Sequence, residues 1–218
     1  MDTAAPSTDP ESAAPARPRL TADDRRAAIL TTARATFARR GFFGTGTAEI
    51  AAAAGCSEPT LYKHFPSKQA LFAAVVSDCG HLMKREVARR LEGADDQFAA
   101  YAAALRSLSS DPTFTEVIRV RSAAVAMMGD PEIAEAVRAS VHGQHDRVRS
   151  ILEASQALGT VRQDIDADAF AWITVGVSLL AGFRQGIDGN ASLEEMPNVL
   201  DNLMRLVELP KPQETTSR

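Results

Sequence analysis

The sequence predicts an all-α protein, and three features of its 218 residues carry that prediction. Alanine, the residue with the highest helix propensity, occurs 39 times. Phe, Tyr and Trp together number only 12, and the alternation of apolar and polar residues that is typical of strands is lacking. Apolar residues instead recur at helical spacing through most of the chain.

The composition excludes several classes of protein. With 45% hydrophobic and 24% charged residues, the chain has the make-up of a soluble globular protein. Its longest apolar run, Ala169 to Phe183, is shorter than the roughly 18 residues of a membrane span, so we interpret it as a buried helix. A secretory signal pattern is missing. We therefore expect a cytoplasmic protein with no membrane partner.

Four segments follow from the distribution of apolar residues. Residues 1–19, rich in Pro, Ala and Ser, are predicted to be a disordered tail, whose Arg17 and Arg19 either form a solvated linker or reach a phosphate. Residues 20–80 form a first helical domain, residues 81–209 a larger second one, and residues 210–218 a polar tail.

Local signals place the helices of the first domain. Thr21 and Asp24 have the spacing of a capping box, so the first helix begins near Thr21, and it ends at Gly41. Two short helices are predicted next, at 47–54 and 58–65. A longer helix follows, capped by Ser67 and continuing towards Leu91.

Five further helices are predicted in the second domain, because Gly and Pro residues punctuate the apolar periodicity there. Their approximate spans are 95–109, 113–128, 131–157, 166–187 and 192–208. The helix at 166–187 is apolar nearly all round, which is typical of a helix buried on more than one face.

The net charge of −4 hides an asymmetry along the chain. Residues 17–68 carry nine Lys and Arg against four acids, a net charge of +5, whereas residues 1–16 carry −3 and the remainder −6. A basic segment on an acidic body indicates that a polyanion would meet the N-terminal part of the protein.

The two short helices have the features of a helix-turn-helix. Gly55 supplies a left-handed conformation to the turn, and Ser57 caps the second helix. Four apolar residues are expected to face inward: Ile50, Ala51, Leu61 and Phe65. The second helix then presents Thr60, Tyr62, Lys63 and His64 outward, on an element sized for the major groove of DNA.

The segment from about residue 26 to 76 resembles the DNA-binding domain of the TetR family of bacterial transcription regulators. Within it, the run Thr60-Leu61-Tyr62-Lys63-His64-Phe65 followed by Ser67-Lys68 has the family's spacing, and Pro59 to Tyr62 with His64 is similar to the tetracycline-repressor branch. The other matching residues are Ile29-Leu30, Phe37, Gly41-Phe42, Thr45 to Ile50, Ala51, Ala54 to Ser57 and Leu71.

The resemblance implies a set of DNA-binding residues. They are Thr47, Ser57, Glu58, Pro59, Thr60, Tyr62, Lys63, His64 and Lys68. Two residues depart from the family's pattern. Gly46 stands where many members have Ser or Thr, which removes a cap or a phosphate contact. Glu58 is acidic, and it either accepts a hydrogen bond from cytosine N4 or points to solvent.

The resemblance also implies that the second domain binds an effector and forms a homodimer through its last two long helices. Candidate effector-binding residues are Phe98, Tyr101, Phe114, Ile118, Met128, Trp172 and Phe183. We expect no cofactor. Cys56 and Cys79 lack metal-site spacing and are interpreted as inert. His142 and His145, beside Asp146, have a spacing that suits a metal, but a third ligand is not evident.

The expected function is that of a dimeric regulator, with repression favoured on family grounds. It would bind a palindromic double-stranded DNA operator and release it when a small, largely apolar effector binds. Catalytic motifs are lacking, so an enzyme is not expected. Two alternatives stay open: a small-molecule carrier or enzyme with an incidental helix-turn-helix, and a regulator without a small-molecule effector.

Overall fold

The computed structural model describes residues 21–188 and 195–208, and these residues form nine helices and no strand. The helices are α1 (Ala22–Arg40), α2 (Thr47–Ala53), α3 (Glu58–His64), α4 (Lys68–Leu91), α5 (Gln97–Ser109), α6 (Pro112–Val125), α7 (Pro131–Ala157), α8 (Ala167–Asp188) and α9 (Met196–Arg205). The all-α prediction is confirmed.

Capping chemistry sets most of the helix ends. Thr21 and Asp24 form the predicted capping box: the Thr21 side chain accepts from the Asp24 backbone, and the Asp24 side chain accepts from the Thr21 backbone. Asp130 accepts hydrogen bonds from two backbone N–H groups at the start of α7, whose predicted span of 131–157 is confirmed. The predicted tails at 1–19 and 210–218, and the start of the predicted last helix at 192–194, lie outside the described residues.

Two apolar clusters fill the interior. One joins α1 to α4 with parts of α6 and α7, and its largest fully buried side chains include Phe37 and Phe72. The other lies among the end of α4 and helices α5 to α9. Because α4 runs unbroken through residue 80 and contributes to both clusters, the N-terminal helices are anchored directly on the larger helical part.

Within this single chain, α8 is not buried on more than one face, contrary to the prediction. By length and composition its segment Ala167–Arg184 is apolar enough to cross a membrane, yet only 28% of that segment is buried. Its inner face packs on α6 and α7. Its outer face leaves large apolar side chains 43–67% exposed; these are Trp172, Ile173, Leu180, Phe183 and Ile187.

Candidate DNA-binding site

The turn between α2 and α3 has the geometry that the sequence predicts. Gly55 adopts a φ of +68°, a left-handed conformation that favours glycine. Ser57 then caps α3: its hydroxyl accepts from the Thr60 backbone at 3.3 Å and lies 2.8 Å from the Thr60 hydroxyl. Ser57 and Thr60 thus bond to each other at the start of α3.

The inward faces of α2 and α3 are apolar and closed. Ile50 and Leu61 have no exposed surface, and Ala51 and Phe65 have at most 2%. All four belong to the cluster that includes α1 and α4. The sequence prediction of the buried face is therefore confirmed, and α3 has one fixed orientation on this core.

Arg25 pins the turn from outside the motif. Its Nη1 donates to the Ala54 carbonyl oxygen at 3.2 Å and to the Gly55 carbonyl oxygen at 3.0 Å. The last carbonyls of a helix lack partners within the helix, so the guanidinium stabilises the end of α2. In the sequence, Arg25 is only one of nine basic residues of the N-terminal segment. Its role cannot be predicted there, because its partners lie 29 and 30 residues further along the chain.

Other basic residues of the N-terminal segment also have partners within the protein. Arg39 and Arg40 pair with Glu49 at 3.5 and 2.8 Å, joining α1 to α2. Arg34 is 9% exposed and pairs with Asp78 of α4 and Glu116 of α6. The charge of +5 therefore overstates the positive charge that this segment offers to a polyanion.

The exposed face of α3 carries Pro59, Tyr62 and Lys63. Among the described residues, Lys63 has no ion pair or hydrogen bond, and Tyr62 is 41% exposed. His64 is half-buried, with its ring centroid 6.4 Å from that of Phe65. A cation and a phenol project together from one rigid helix, which is the kind of surface that contacts a DNA groove.

Thr47 joins α2 to α3 through a chain of hydrogen bonds. Its hydroxyl donates to Glu58 Oε1 at 2.5 Å and lies 3.0 Å from the Tyr62 hydroxyl. Since the single Thr47 proton goes to the carboxylate, the Tyr62 hydroxyl must donate to Thr47. Glu58 therefore does not simply point to solvent, because its side chain is half-buried and its Oε1 accepts from Thr47. The alternative of a contact to cytosine stays a prediction.

The remaining predicted contacts lie beside this face. Lys68, the first residue of α4, holds its Nζ 4.4 Å from the Phe42 ring centroid. Arg26 holds its guanidinium carbon 4.9 Å from the Phe65 centroid. Such cation–π contacts orient the charged groups. Gly46, at the start of α2, provides no side-chain cap, as its departure from the family's pattern implied.

The seven candidate effector-binding residues do not all line one pocket. Phe98, Tyr101 and Ile118 are buried in the second apolar cluster, and Phe114 packs against it half-buried. Met128, Trp172 and Phe183 are 41%, 43% and 63% exposed. Phe183 lines a cleft of about 960 Å³ among α1, α6 and α8.

The histidines of α7 do not form a metal site with their neighbours. His145 Nδ1 lies 3.1 Å from Asp146, whereas Nε2 lies 3.1 Å from Asp168 on α8. The two carboxylates are on opposite sides of the ring, and the His142 ring faces Trp172. Among the described residues, no group of three His, Cys, Asp or Glu side chains converges on a point that would suit a metal.

Comparison with known proteins matches the N-terminal helices to a family. Residues 29–75, from α1 to α4, fit the model of "Bacterial regulatory proteins, tetR family". The HTH-type transcriptional activator FasR of Mycolicibacterium smegmatis is 47% identical over 58 residues, which are 27% of this chain and 26% of FasR. The match thus spans about a quarter of that relative's length.

Solved structures extend the likeness to the fold of most of the chain. A transcriptional regulator of Saccharomonospora viridis in complex with choline has a TM-score of 0.73 and 22% identity, covering 86% of this chain and 100% of that one. AibR in complex with isovaleryl coenzyme A and operator DNA has a TM-score of 0.64 and 23% identity, covering 85% and 99%. The N-terminal helices thus match the model of the tetR family of bacterial regulatory proteins, and most of the chain shares the fold of these solved regulators.

Proposed function

We propose that this protein is a cytoplasmic, non-enzymatic transcription regulator that binds a palindromic DNA operator as a homodimer. Its DNA-binding domain is residues 20–80, and its effector-binding and dimerisation domain is residues 81–209. The observation that carries the proposal is the rigid presentation of Tyr62 and Lys63 on the exposed face of α3. Relatives of the N-terminal helices are named as transcription regulators, which supports the same reading.

The outer face of α8 supports the homodimer. Ile173, Leu180, Phe183 and Ile187 follow one another at intervals of seven, three and four residues and are 50–67% exposed. This spacing places them in one stripe along the helix, the pattern of a helix that packs on another helix. A second copy would bury the stripe and set the distance between two α3 helices, so that two half-sites are read together.

A small effector is proposed to bind the helical part that follows α4. Choline and isovaleryl coenzyme A are the ligands in the two solved neighbours, whose C-terminal folds this chain shares. The dimer would have two conformations, of which only one places both α3 helices at the spacing of the two half-sites. An effector that binds more tightly to the other conformation would shift the population away from the DNA-bound form. Repression is the proposed direction; because FasR is named an activator, a promoter reporter with and without the protein should determine the sign.

Selection of bound sequences from random duplex DNA tests the DNA-binding proposal. The wild-type protein is expected to enrich a palindrome, and Tyr62→Ala and Lys63→Ala are expected to lose it. Lys84→Ala removes an exposed lysine from α4 and serves as the matched control. Failure of the wild type to enrich any sequence at low salt, where phosphate contacts are strongest, would overturn the proposal.

The mass of the protein in solution tests the dimer. Leu180→Glu places a charge in the α8 stripe and is expected to yield monomers by analytical ultracentrifugation. Leu158→Glu makes the same change at a side chain that is 66% exposed elsewhere, and it should leave the dimer intact. A wild-type protein that stays monomeric at micromolar concentration would contradict the proposed interface.

A further inference from the structure

A buried arginine lies at the centre of the C-terminal helices. Arg121 of α6 is 5% exposed, and its Nη2 donates to Gln144 Oε1 of α7 at 2.7 Å. Gln144 in turn donates through Nε2 to the Ser178 hydroxyl of α8 at 3.0 Å. These partners are neutral, so the three helices meet around a cation that they do not neutralise.

No acid within the described residues forms an ion pair with Arg121 or with its neighbour Arg147 of α7. Burial lowers the pKa of both guanidinium groups, and for Arg121 the nearby charge of Arg147 lowers the pKa further. Tyr101 of α5 interacts electrostatically with both and is itself 2% exposed. Arginine stays protonated in proteins, and a buried charge without a partner is destabilising, so this cluster is suited to an anion from outside.

Ser140 lies between the buried arginine and an open cleft. Arg121 lines a chamber of about 10 Å³, roughly the room of one water molecule. Ser140 of α7 lines both that chamber and a cleft of about 520 Å³ between α4 and α7. Its hydroxyl oxygen is buried and has no hydrogen-bond partner. A group that enters from the cleft would therefore find a free hydroxyl on the way to Arg121.

The cleft itself suits a small organic ion. Its walls include Gly80, Ala136 and Ala139, and its charged residues are Lys84 and Arg147 against Asp146. The Asp146 carboxylate lies 3.1 Å from His145 Nδ1. The volume lies within the range of about 300–1,000 Å³ that is typical of small-molecule sites.

We propose that Arg121 and Arg147, with Ser140, bind the carboxylate of an organic acid whose apolar part lies in the α4–α7 cleft. The planar guanidinium pairs with a carboxylate through two parallel hydrogen bonds. The inference deepens the proposed function, because it names the chemical class of the effector, and it rests on that function for its regulatory meaning.

Calorimetric titration of the full-length protein with straight-chain carboxylates from butyrate to dodecanoate tests the proposal. The amides of the same chains are neutral controls, and octyl phosphate is the phosphate comparison. At least one carboxylate is expected to bind more than about tenfold more tightly than its amide, and Arg121→Met and Arg147→Met should each remove about tenfold or more of that affinity. Arg138→Met removes an exposed arginine from the same helix as Arg147 and should bind like the wild type.

Each outcome decides the matter. Equal binding of acid and amide, binding that survives in both arginine variants, preference for octyl phosphate, or no binding across the series would overturn the carboxylate site. Circular dichroism of Arg121→Met and Arg147→Met separates lost binding from lost folding, and Arg147→Met, at a half-buried position, keeps the test valid if Arg121→Met does not fold. Operator binding by the wild type is measured separately. If the protein binds its operator but no carboxylate, only the carboxylate site is contradicted. If it binds a carboxylate but no operator, the site is supported and the proposed role as a DNA-binding regulator is contradicted.

Discussion

Thr47 shows how one side chain of α2 can support the readout surface of α3. Its hydroxyl accepts a hydrogen bond from Tyr62 and donates one to Glu58, so it orients both side chains. The chain of hydrogen bonds therefore places the Tyr62 hydroxyl and the Glu58 carboxylate beside one another on the same side of α3.

We expect Thr47→Val to weaken operator binding by about fivefold to tenfold, the value of one net hydrogen bond of about 1 kcal/mol. Valine has nearly the shape of threonine and fits the 9% exposed position, so folding should be retained. Fluorescence anisotropy with the selected operator measures the change. Thr47→Ser keeps the hydroxyl and should bind within about twofold of the wild type; equal affinity of the valine and serine variants would show that Tyr62 needs no such support.

Cys79 has a pH dependence that its burial dictates. The side chain is 0% exposed, and desolvation raises the pKa of its thiol from 9.0 to about 12. The thiol stays protonated in the folded state, which makes it a poor nucleophile. Because the folded pKa lies above the unfolded one, the folded state binds the proton more tightly, and this contribution to stability is lost as the pH rises from about 9 towards 12.

We therefore expect the stability gap between the wild type and Cys79→Ala to narrow by about 1 kcal/mol between pH 8 and pH 10. Other groups titrate in this window, but they are common to both proteins and cancel in the difference. Urea unfolding at the two pH values measures the gap. A gap that stays constant would mean that the thiol ionises in the folded protein as readily as in the unfolded one.

At the scale of the helices, α6 and α8 pack tightly against each other at Gly182. A Cβ there would lie 2.1 Å from the Ser122 hydroxyl and 2.8 Å from the Ile118 carbonyl oxygen. Ser122 donates to the Leu179 carbonyl oxygen at 3.0 Å, which locks the two helices at this point. The small residue thus serves contact within the chain, whereas the opposite face of α8 is left apolar and open.

Gly182→Ala is expected to destabilise the protein by about 1–3 kcal/mol, because the added methyl group overpacks the crossing. Gly143→Ala is the control: it is also helical, nothing lies within 4 Å of its Cβ, and it should raise stability by about 0.5–1 kcal/mol. Thermal or denaturant unfolding reports both. A Gly182→Ala protein as stable as the wild type would show that α6 and α8 can move apart without loss.

The helices could be predicted from the sequence because their signals are local. The Thr21 capping box, Asp130-Pro131 and Gly55 act within a few residues of the ends that they define, and the observed ends follow. The contacts of Arg25 could not be predicted, because its partners are distant in sequence and a basic residue at its position is equally typical of a solvated face. The exposed stripe of α8 was misinterpreted for a related reason. Apolar residues predict that a helix face is covered, but they do not show whether the same chain or a second copy covers it.

The same limit applies to the candidate site. The inward residues of α2 and α3 follow from helical spacing, and the exposed Tyr62 and Lys63 follow from the same pattern. The bond between Thr47 and Glu58 depends on the angle between two helices, which no local pattern fixes. The group of residues around Arg121 could not be predicted either. Helices α4 to α8 each contribute to it, and none of its residues carries a local sequence signal by itself.

Across the whole molecule, Arg34 ties the N-terminal helices to the rest of the protein. Its Nε lies 3.1 Å from Glu116 of α6, and its Nη1 lies 3.6 Å from Asp78 of α4. The side chain is 11% exposed, whereas the carboxylates are 32% and 28% exposed. The guanidinium therefore sits at the junction through which α1, and with it the α2–α3 unit, is oriented on α4 and α6.

Arg34→Met is expected to destabilise the protein by about 1–3 kcal/mol, between the values for exposed and fully buried ion pairs, since water can reach both carboxylates once the cation is gone. Arg39→Met is the matched control: the Arg39 side chain is 63% exposed in its pair with Glu49, so its loss should cost less than about 1 kcal/mol.

The junction of α1 with α4 and α6 also bears on DNA recognition if, as proposed, α8 holds two copies together. The separation of the two α3 helices then depends on the angle at which α1 leaves α4 and α6. Wild-type protein should bind best to one spacing between half-sites, and Arg34→Met should flatten that preference while keeping its affinity for a single half-site. Anisotropy titrations on operators lengthened or shortened by single base pairs measure the preference. An Arg34→Met protein that is destabilised but keeps the wild-type optimum would show that the ion pairs hold the fold without setting the spacing.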